Sequence, residues 1–313
     1  MKILINLFIL ALFTSCLEQD AAILSNEDPF SLINNEKLIL FPSEIEPNGQ
    51  RSLSQLLMSS FTLLESYTSI SNDIFAGSLD YTVDYEAFFN NKNDLNDYFS
   101  LLSQLKTVAL KKTEKAEAIN LYNYLSVGLV LTYFEELDGD VWTDGHSLLN
   151  IENRGEGIFK DLKFRFSDGY FSLENIENYI VSEVGPLAHL SLHRAAKGFT
   201  SDLSEIYTIE NVQNKLELLA IELVNDQNIV YIDLDTNGSI ISIHSSISEV
   251  FSRSFNFDPL GRFQSVHELI AYFNNPAMTS INSDDFLQKD EQGFLWQVRP
   301  LNVFIDWTLN QTK

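Results

Sequence analysis

The sequence is almost without cysteine, and this scarcity excludes several kinds of chemistry. Cys16 is the only cysteine among 313 residues, so the chain cannot close a disulfide within itself. Beyond Cys16 there is no thiol at all. A thiolate nucleophile and a cysteine-ligated zinc site are therefore excluded from the rest of the chain.

Basic residues are also scarce. The chain has 20 Lys+Arg against 44 Asp+Glu, a formal net charge of −24. Such a field repels phosphate backbones, so we expect no nucleic acid partner. The acidic residues form no long block, which indicates charge spread over solvated faces. The hydrophobic content of 45% is enough for a sizeable core.

The apolar run near the N-terminus is too short to cross a membrane. Lys2 is followed by Ile3–Phe13, which is apolar apart from Asn6 and is eleven residues long, whereas a spanning helix needs about 20. A positive residue, a short apolar run and then small residues are typical of an export signal. We therefore predict that residues 1–15 are a signal peptide.

The end of this segment, Phe13-Thr-Ser-Cys16, resembles a bacterial lipoprotein signal, in which a small residue precedes a cysteine that becomes acylated. Phe13 departs from the aliphatic residue usual at its place. Several acyl chains would hold the chain at a membrane, because each buried CH₂ contributes about 0.8 kcal/mol. Leu17 and Glu18, with no aspartate after the cysteine, resemble the pattern sent to the outer membrane. The alternative is an ordinary export signal with an incidental cysteine.

After the signal, the composition divides the chain in two. Residues 16–51 are polar and contain Pro42, Pro47 and the Asn48-Gly49 pair, which are typical of a linker. Within them we predict one short ordered piece at Lys37–Phe41. We predict a tether over residues 16–51 and a single domain over residues 52–310.

Within the domain, helical periodicity dominates. Apolar residues recur at steps of three and four from Ser52 onward, and after Ile119 they nearly surround one helix, which we expect to be buried. Two other segments alternate with a period of two. Leu162–Phe166 precedes the Asp168-Gly169 pair, and Ile229–Ile243 contains the Asn237-Gly238 pair. Each segment therefore predicts a hairpin. The prediction is a mainly helical α+β fold with a small antiparallel sheet built from the two hairpins.

Two histidines, His189 and His193, are four residues apart and would share one face of an α-helix. That is the spacing of two histidines in helical zinc sites. No glutamate stands between them, and a third ligand would have to come from Glu174, Glu177 or Asp202. The other interpretation is a structural pair, and we predict no metal and no cofactor.

Two further patterns are weak. Asp233–Gly238 matches the first half of a calcium loop, but His244 stands where the bidentate glutamate is needed, and an Asn-Gly hairpin explains the same residues. Ser191 near His189 suggests a nucleophile and a base, yet there is no Gly-x-Ser-x-Gly elbow.

Five segments in order resemble the domain of unknown function 547 family, over about Ser52 to Asn310. They are Val83-Asp-Tyr85, Ala116–Leu125 with its Ile-Asn-Leu-Tyr-Asn core, Phe171-Ser-Leu-Glu-Asn-Ile-Glu177, Pro186-Leu-Ala-His189 and Asp306-Trp-Thr-Leu-Asn310. The resemblance retains Asn120, Tyr122, Asn123, Glu177, His189 and Asp306-Trp307. It implies a fold rather than a reaction.

The departures from the family gather around His189. The family's aspartate and arginine beside the proline are Gly185 and Leu187 here, and its two cysteines after the histidine are Arg194 and Phe199. Ala118 replaces a tryptophan, and Asn178 replaces a histidine. Any cysteine-dependent chemistry that the resemblance implies is therefore lost from this chain.

The retained polar residues lead to two hypotheses. Buried amides need partners, so we predict a buried cluster of Asn120, Asn123, Glu177 and His189, with Tyr122 and Asp306 as further polar members. The first hypothesis is a lipid-anchored envelope protein whose domain binds or scaffolds an unidentified partner. The second is a hydrolase or transferase of an envelope substrate, with His189 as base and Glu177 as orienter.

Overall fold

The computed structural model describes residues 37–39, 51–70, 81–136, 157–195, 203, 205–225, 230–234, 240–245, 265–276 and 298–299. All of them belong to one unit, Glu36–Lys313. The predicted signal peptide, Cys16, the Asp233–Gly238 turn and Asp306 lie wholly or partly outside the described residues.

Helices make up most of the described chain, and side-chain caps set where several begin. Ser52 accepts a hydrogen bond from the Gln55 backbone while the Gln55 side chain accepts from the Ser52 backbone, and Ser172 and Asn175 form the same reciprocal pair. The α-helices are α1 (Leu53–Glu65), α2 (Tyr85–Asn90), α3 (Lys92–Ser103), α4 (Lys115–Thr132), α5 (Gly157–Asp161), α6 (Leu173–Val184), α7 (Val212–Asn225) and α8 (Val266–Phe273).

Helix α4 is the centre of the described structure. Every residue from Ala118 to Leu131 is buried, as the sequence predicted for a helix that is apolar on nearly all sides. It packs against α1, α2, α3 and α6. No helix among the described residues is long and apolar enough to span a bilayer.

Within the described residues the strands form three small sheets. They are β1 (Lys37–Ile39), β2 (Thr68–Ile70), β3 (Tyr81–Val83), β4 (Leu162–Phe166), β5 (Gly169–Ser172), β6 (Val230–Leu234), β7 (Ile240–Ser245) and β8 (Val298–Arg299). Strands β4 and β5 form one predicted hairpin, and β6 and β7 form the other. Strands β2 and β3 pair separately.

The mainly helical α+β class is thus confirmed, and both hairpins are present. Among the described residues the hairpins belong to two different three-stranded sheets, β1-β4-β5 and β6-β7-β8. Each of these sheets also includes a parallel strand, β1 beside β4 and β8 beside β7. Strand β1 comes from the predicted tether and pairs Lys37 with Leu162.

His189 lies in a short 3-10 helix, Pro186–Ser191, and His193 follows that helix by two residues. Helix α6 precedes it and ends at Gly185, whose φ of +97° is a conformation that favours glycine. Both α6 and α7 pack against the 3-10 helix. The segment is therefore enclosed by helices rather than presented on the surface.

Candidate functional site

The segment Pro186–Arg194 is not an α-helix, which corrects the premise of the histidine pair. His189 lies in the 3-10 helix, whereas His193 follows it outside any helix or strand. The two imidazoles consequently have different neighbours. The inference of a shared helical face, on which the two-histidine metal site depended, is wrong because Pro186 begins a tighter helix that ends at Ser191.

Glu177, His189 and Arg194 form one polar cluster, called here the Glu177 cluster. Oε1 of Glu177 lies 2.7 Å from Nδ1 of His189 and also contacts the guanidinium of Arg194. The side chains are 12%, 7% and 19% exposed, respectively. Contact between Glu177 and His189 was predicted; the participation of Arg194 was not.

His193 is paired elsewhere, with Tyr85 at the start of α2. The Tyr85 hydroxyl lies 2.7 Å from His193 Nε2, and both side chains are fully buried. Burial lowers the pKa of His193 to about 3 and raises the pKa of Tyr85 well above its ordinary value. The pair is therefore an uncharged phenol against a neutral imidazole at physiological pH.

The burial of His193 predicts a loss of stability in acid. Because the folded pKa of about 3 lies below the ordinary 6.5, the unfolded chain binds more protons between these values. The His193 contribution is fully present above pH 6.5 and is lost as the pH falls toward 3. We expect the free energy of unfolding, measured in urea, to fall more steeply across this window in the wild type than in His193→Gln. Tyr85→Phe leaves the imidazole buried and should keep the steep dependence; equal slopes for all three chains would contradict the assignment.

Asn120 and Asn123, three residues apart on α4, each hold a backbone segment by two hydrogen bonds. The Asn120 side chain donates to the carbonyl of Tyr207 (2.7 Å) and accepts from the Tyr207 N–H (2.9 Å). The Asn123 side chain donates to the Ser191 carbonyl (3.0 Å) and accepts from the His193 N–H (2.8 Å). Each carboxamide thus pairs with one C=O and one N–H of a buried backbone segment, as a neighbouring strand would.

This geometry corrects the predicted four-residue cluster. Among the described residues, neither asparagine side chain hydrogen-bonds to Glu177 or His189, because both amides are used on backbone groups. Both asparagines are buried, as predicted. Tyr122 is buried on the same helix, and Asp306 lies outside the described residues.

The remaining candidates are distributed over other contacts. The Ser191 hydroxyl donates to the Ala188 carbonyl at 2.7 Å within its own turn, which is a structural use of the group. Glu174 pairs with Lys160 at 3.4 Å near the surface. In the part of the chain that the structure describes, no three His, Cys, Asp or Glu side chains come together as a metal site would require.

Sequence reasoning missed Tyr85 and Arg194 as members of this region. Tyr85 is separated from His193 by 108 residues, and no periodicity links them. Arg194 could have been noticed, since it is a basic residue at the end of the largely apolar Pro186–Leu192 stretch. A buried or partly buried cation of that kind calls for an acidic partner.

The fold and these contacts define a mainly helical α+β domain in which a central buried helix hydrogen-bonds the end of the 3-10 segment through the Asn123 side chain. No protein-family model, curated protein or solved structure matches the chain.

Proposed function

We propose that the chain is an exported, lipid-anchored envelope protein, held at the outer membrane through Cys16, whose domain binds or scaffolds a partner without catalysing a reaction. The proposal of a domain without catalysis rests on the contacts that its buried polar side chains make. One oxygen of Glu177 contacts both His189 and Arg194. The Asn123 side chain donates a hydrogen bond to the backbone carbonyl of Ser191, in the segment that holds His189. Such contacts fix a fold, and they employ the residues that a catalytic site would have needed.

The described surface also carries apolar side chains suited to contact with another molecule. Leu218 and Ile221 stand three residues apart on α7 and are 55% and 42% exposed, so they share one face of the helix. Exposed apolar groups of this kind support a binding role when they are grouped. The partner proposed here is an envelope component.

The resemblance to the domain of unknown function 547 family is part of the same proposal. Arg194 stands where the resemblance places a cysteine, and here it contacts Glu177. An ion pair in place of a thiol supports a domain that keeps the family's fold without any cysteine chemistry. The domain would then have retained Asn123, Glu177 and His189 for structural reasons.

The anchor is tested by Cys16→Ser. Without the thiol, acylation cannot occur, and the chain is expected to move from the membrane fraction to the soluble fraction or to accumulate unprocessed. The measurement is membrane fractionation followed by the mass of the N-terminal peptide. A matched control is Ser15→Ala, which keeps a small residue before the cysteine and should remain on the membrane. A Cys16→Ser chain that stays processed and membrane-bound would rule out lipidation.

A second function is favoured by one specific contact. The Glu177 carboxylate lies 2.7 Å from His189 Nδ1, the ring nitrogen that an acidic residue contacts when it orients a catalytic imidazole. We therefore keep, as the alternative proposal, a hydrolase or transferase with His189 as base and Glu177 as orienter. Arg194 at the same carboxylate oxygen weakens it, because the cation competes for the charge that would stabilise an imidazolium. Apolar replacement of the whole Glu177 cluster separates the two proposals.

A further inference from the structure

Strand β1 lies inside the segment that the sequence predicts to be a tether. Its residues Lys37–Ile39 pair in parallel with the first three residues of β4, Leu162–Phe164. The compact unit that contains the domain correspondingly begins at Glu36 rather than at helix α1. The backbone therefore joins the domain well before Leu53, where α1 begins.

The hairpin that receives β1 is itself fixed in the domain. Every residue of β4 except Arg165 is buried. Just beyond the strand, the Ser167 N–H donates a hydrogen bond to the Val108 carbonyl at 2.8 Å. The carboxylate of Asp168, in the turn of the hairpin, accepts a hydrogen bond from the Leu110 N–H at 2.9 Å. A strand that pairs with β4 is consequently attached to the packed part of the molecule.

The pairing of β1 makes a closed loop of the chain that follows it. Residues 40–52 join β1 to α1, and both of these elements belong to the same unit. The entropy of closing a loop grows only with the logarithm of its length, so a short loop of this kind costs little to hold closed. Residues 40–52 therefore add nothing to the distance that the tether can span while β1 stays paired.

We propose that β1 fixes the tether to the domain, so that a lipid anchor at Cys16 acts on the domain through residues 17–36 alone. This inference rests on the anchor of the proposed function and adds a point of attachment to it. A fully extended chain from Cys16 to Lys37 spans at most about 70 Å, whereas one from Cys16 to Leu53 would span about 130 Å. The pairing thus nearly halves the greatest distance from the membrane at which the domain can meet a partner.

The test compares two insertions in the full lipidated chain. About 20 Gly and Ser residues are placed either between Asn35 and Glu36, before β1, or between Asn48 and Gly49, after it. The first insertion roughly doubles the link of residues 17–36 and should raise its mean end-to-end distance about 1.4-fold, because that distance grows as the square root of linker length. The second insertion enlarges only the closed loop and should leave the distance unchanged.

Energy transfer between the domain and a bilayer measures this distance. Cys16 is the only cysteine and has no thiol once acylated, so Asn93→Cys, at an exposed position of α3, gives a single site for a donor dye. The acceptor dye is carried by the headgroups of phosphatidylcholine vesicles, whose lack of net charge avoids repulsion of a chain with a charge of −24. The insertion before β1 should lower the transfer efficiency, and the insertion after β1 should not. Equal losses from the two insertions would overturn the proposal.

Two proline variants of the chain with the second insertion test whether β1 is the attachment. Within the described residues β1 is an edge strand, with β4 on one side only. Successive N–H groups of a strand point to opposite sides, so one of Leu38→Pro and Ile39→Pro removes a donor to β4 and the other removes a donor that faces away. Transfer should fall in the first kind of variant and stay unchanged in its control. Unchanged transfer in both variants would place the attachment elsewhere and refute the role of β1.

Failure of the anchor has a different signature from failure of the β1 attachment. If Cys16 carries no lipid, energy transfer is absent from every chain, with or without an insertion, and the N-terminal peptide has its unmodified mass. The present proposal then falls together with the anchor. Transfer in the chain without an insertion, accompanied by equal losses from both insertions, leaves the anchor in place and removes only the attachment at β1.

Discussion

Replacement of Glu177 by glutamine is expected to lower the free energy of unfolding by about 3 kcal/mol. The substitution keeps the shape of the side chain but removes the charge that His189 and Arg194 share. Breaking a buried ion pair leaves the other charge uncompensated, which costs about 3–5 kcal/mol. The lower end applies because Arg194 is 19% exposed and water can solvate part of its guanidinium. The measurement is equilibrium unfolding in urea at neutral pH.

A matched control lies one turn away on the same helix. Glu174 also pairs with a cation, Lys160, at 3.4 Å, but both side chains are substantially exposed. Exposed ion pairs contribute about 0–1 kcal/mol, so Glu174→Gln should change the free energy of unfolding by less than about 1 kcal/mol. If the two variants lost equal stability, the Glu177 cluster could not be a supporting element of the fold.

The same residues separate binding from catalysis. A buried ion cluster can often be replaced by apolar side chains of similar volume at little cost in stability. We expect the combined variant Glu177→Met, His189→Leu and Arg194→Met to recover most of the stability lost in Glu177→Gln. In cells that lack the native gene, a binding domain so repaired should restore function at wild-type abundance. Loss of function in a stable, membrane-bound triple variant would instead favour the alternative, with His189 as base.

The helical half of the fold could be read from the sequence because its signals are local. The period of apolar residues around Ile119 predicted a buried helix, and α4 is buried from Ala118 to Leu131. Likewise the helical period was found from Ser52 onward, and Ser52 caps α1. A cap depends on residues within one turn, and a helical face depends on residues three and four apart, so both are visible without knowledge of the tertiary structure.

The candidate site was only partly predictable because its contacts span long separations. The Glu177–His189 contact was foreseen, because the family resemblance retains both residues and both were placed in one buried polar cluster. The Tyr85–His193 contact joins residues 108 apart, and the Asn120–Tyr207 bonds join residues 87 apart. Spacing alone also misassigned the His189–His193 segment, because four residues define one face only if the helix is α, and Pro186 begins a 3-10 helix.

The prediction that the two hairpins form one sheet was wrong for a related reason. Each hairpin was predicted correctly from its own turn, but which hairpin joins which sheet is set by tertiary packing. Strand β1 was anticipated only as a short ordered piece within the tether, and its parallel pairing with β4 bridges more than a hundred residues. Parallel partners are brought together by distant parts of the chain and leave no turn signal between them.

Replacement of Asn123 by alanine is expected to lower the free energy of unfolding by about 3 kcal/mol. It leaves the Ser191 carbonyl and the His193 N–H buried without the partner that each has in the wild type, and an unpaired buried group costs about 1–3 kcal/mol. Equilibrium unfolding in urea measures the total. An exposed amide on α7, Asn214, supplies the control, because Asn214→Ala removes no buried bond and should fall within about 0.5 kcal/mol of the wild type.

Hydrogen exchange distinguishes a local clamp from a general contribution to the core. Asn123 bonds the end of the Pro186–Arg194 segment, whereas Asn120 bonds Tyr207. Under native conditions Asn123→Ala should therefore accelerate exchange at the His193 amide while leaving the Tyr207 amide protected, and Asn120→Ala should do the reverse. Each variant is the other's control. Equal acceleration at both amides in both variants would mean that the asparagines support α4 as a whole, and the Glu177 cluster would then be the principal attachment of the segment.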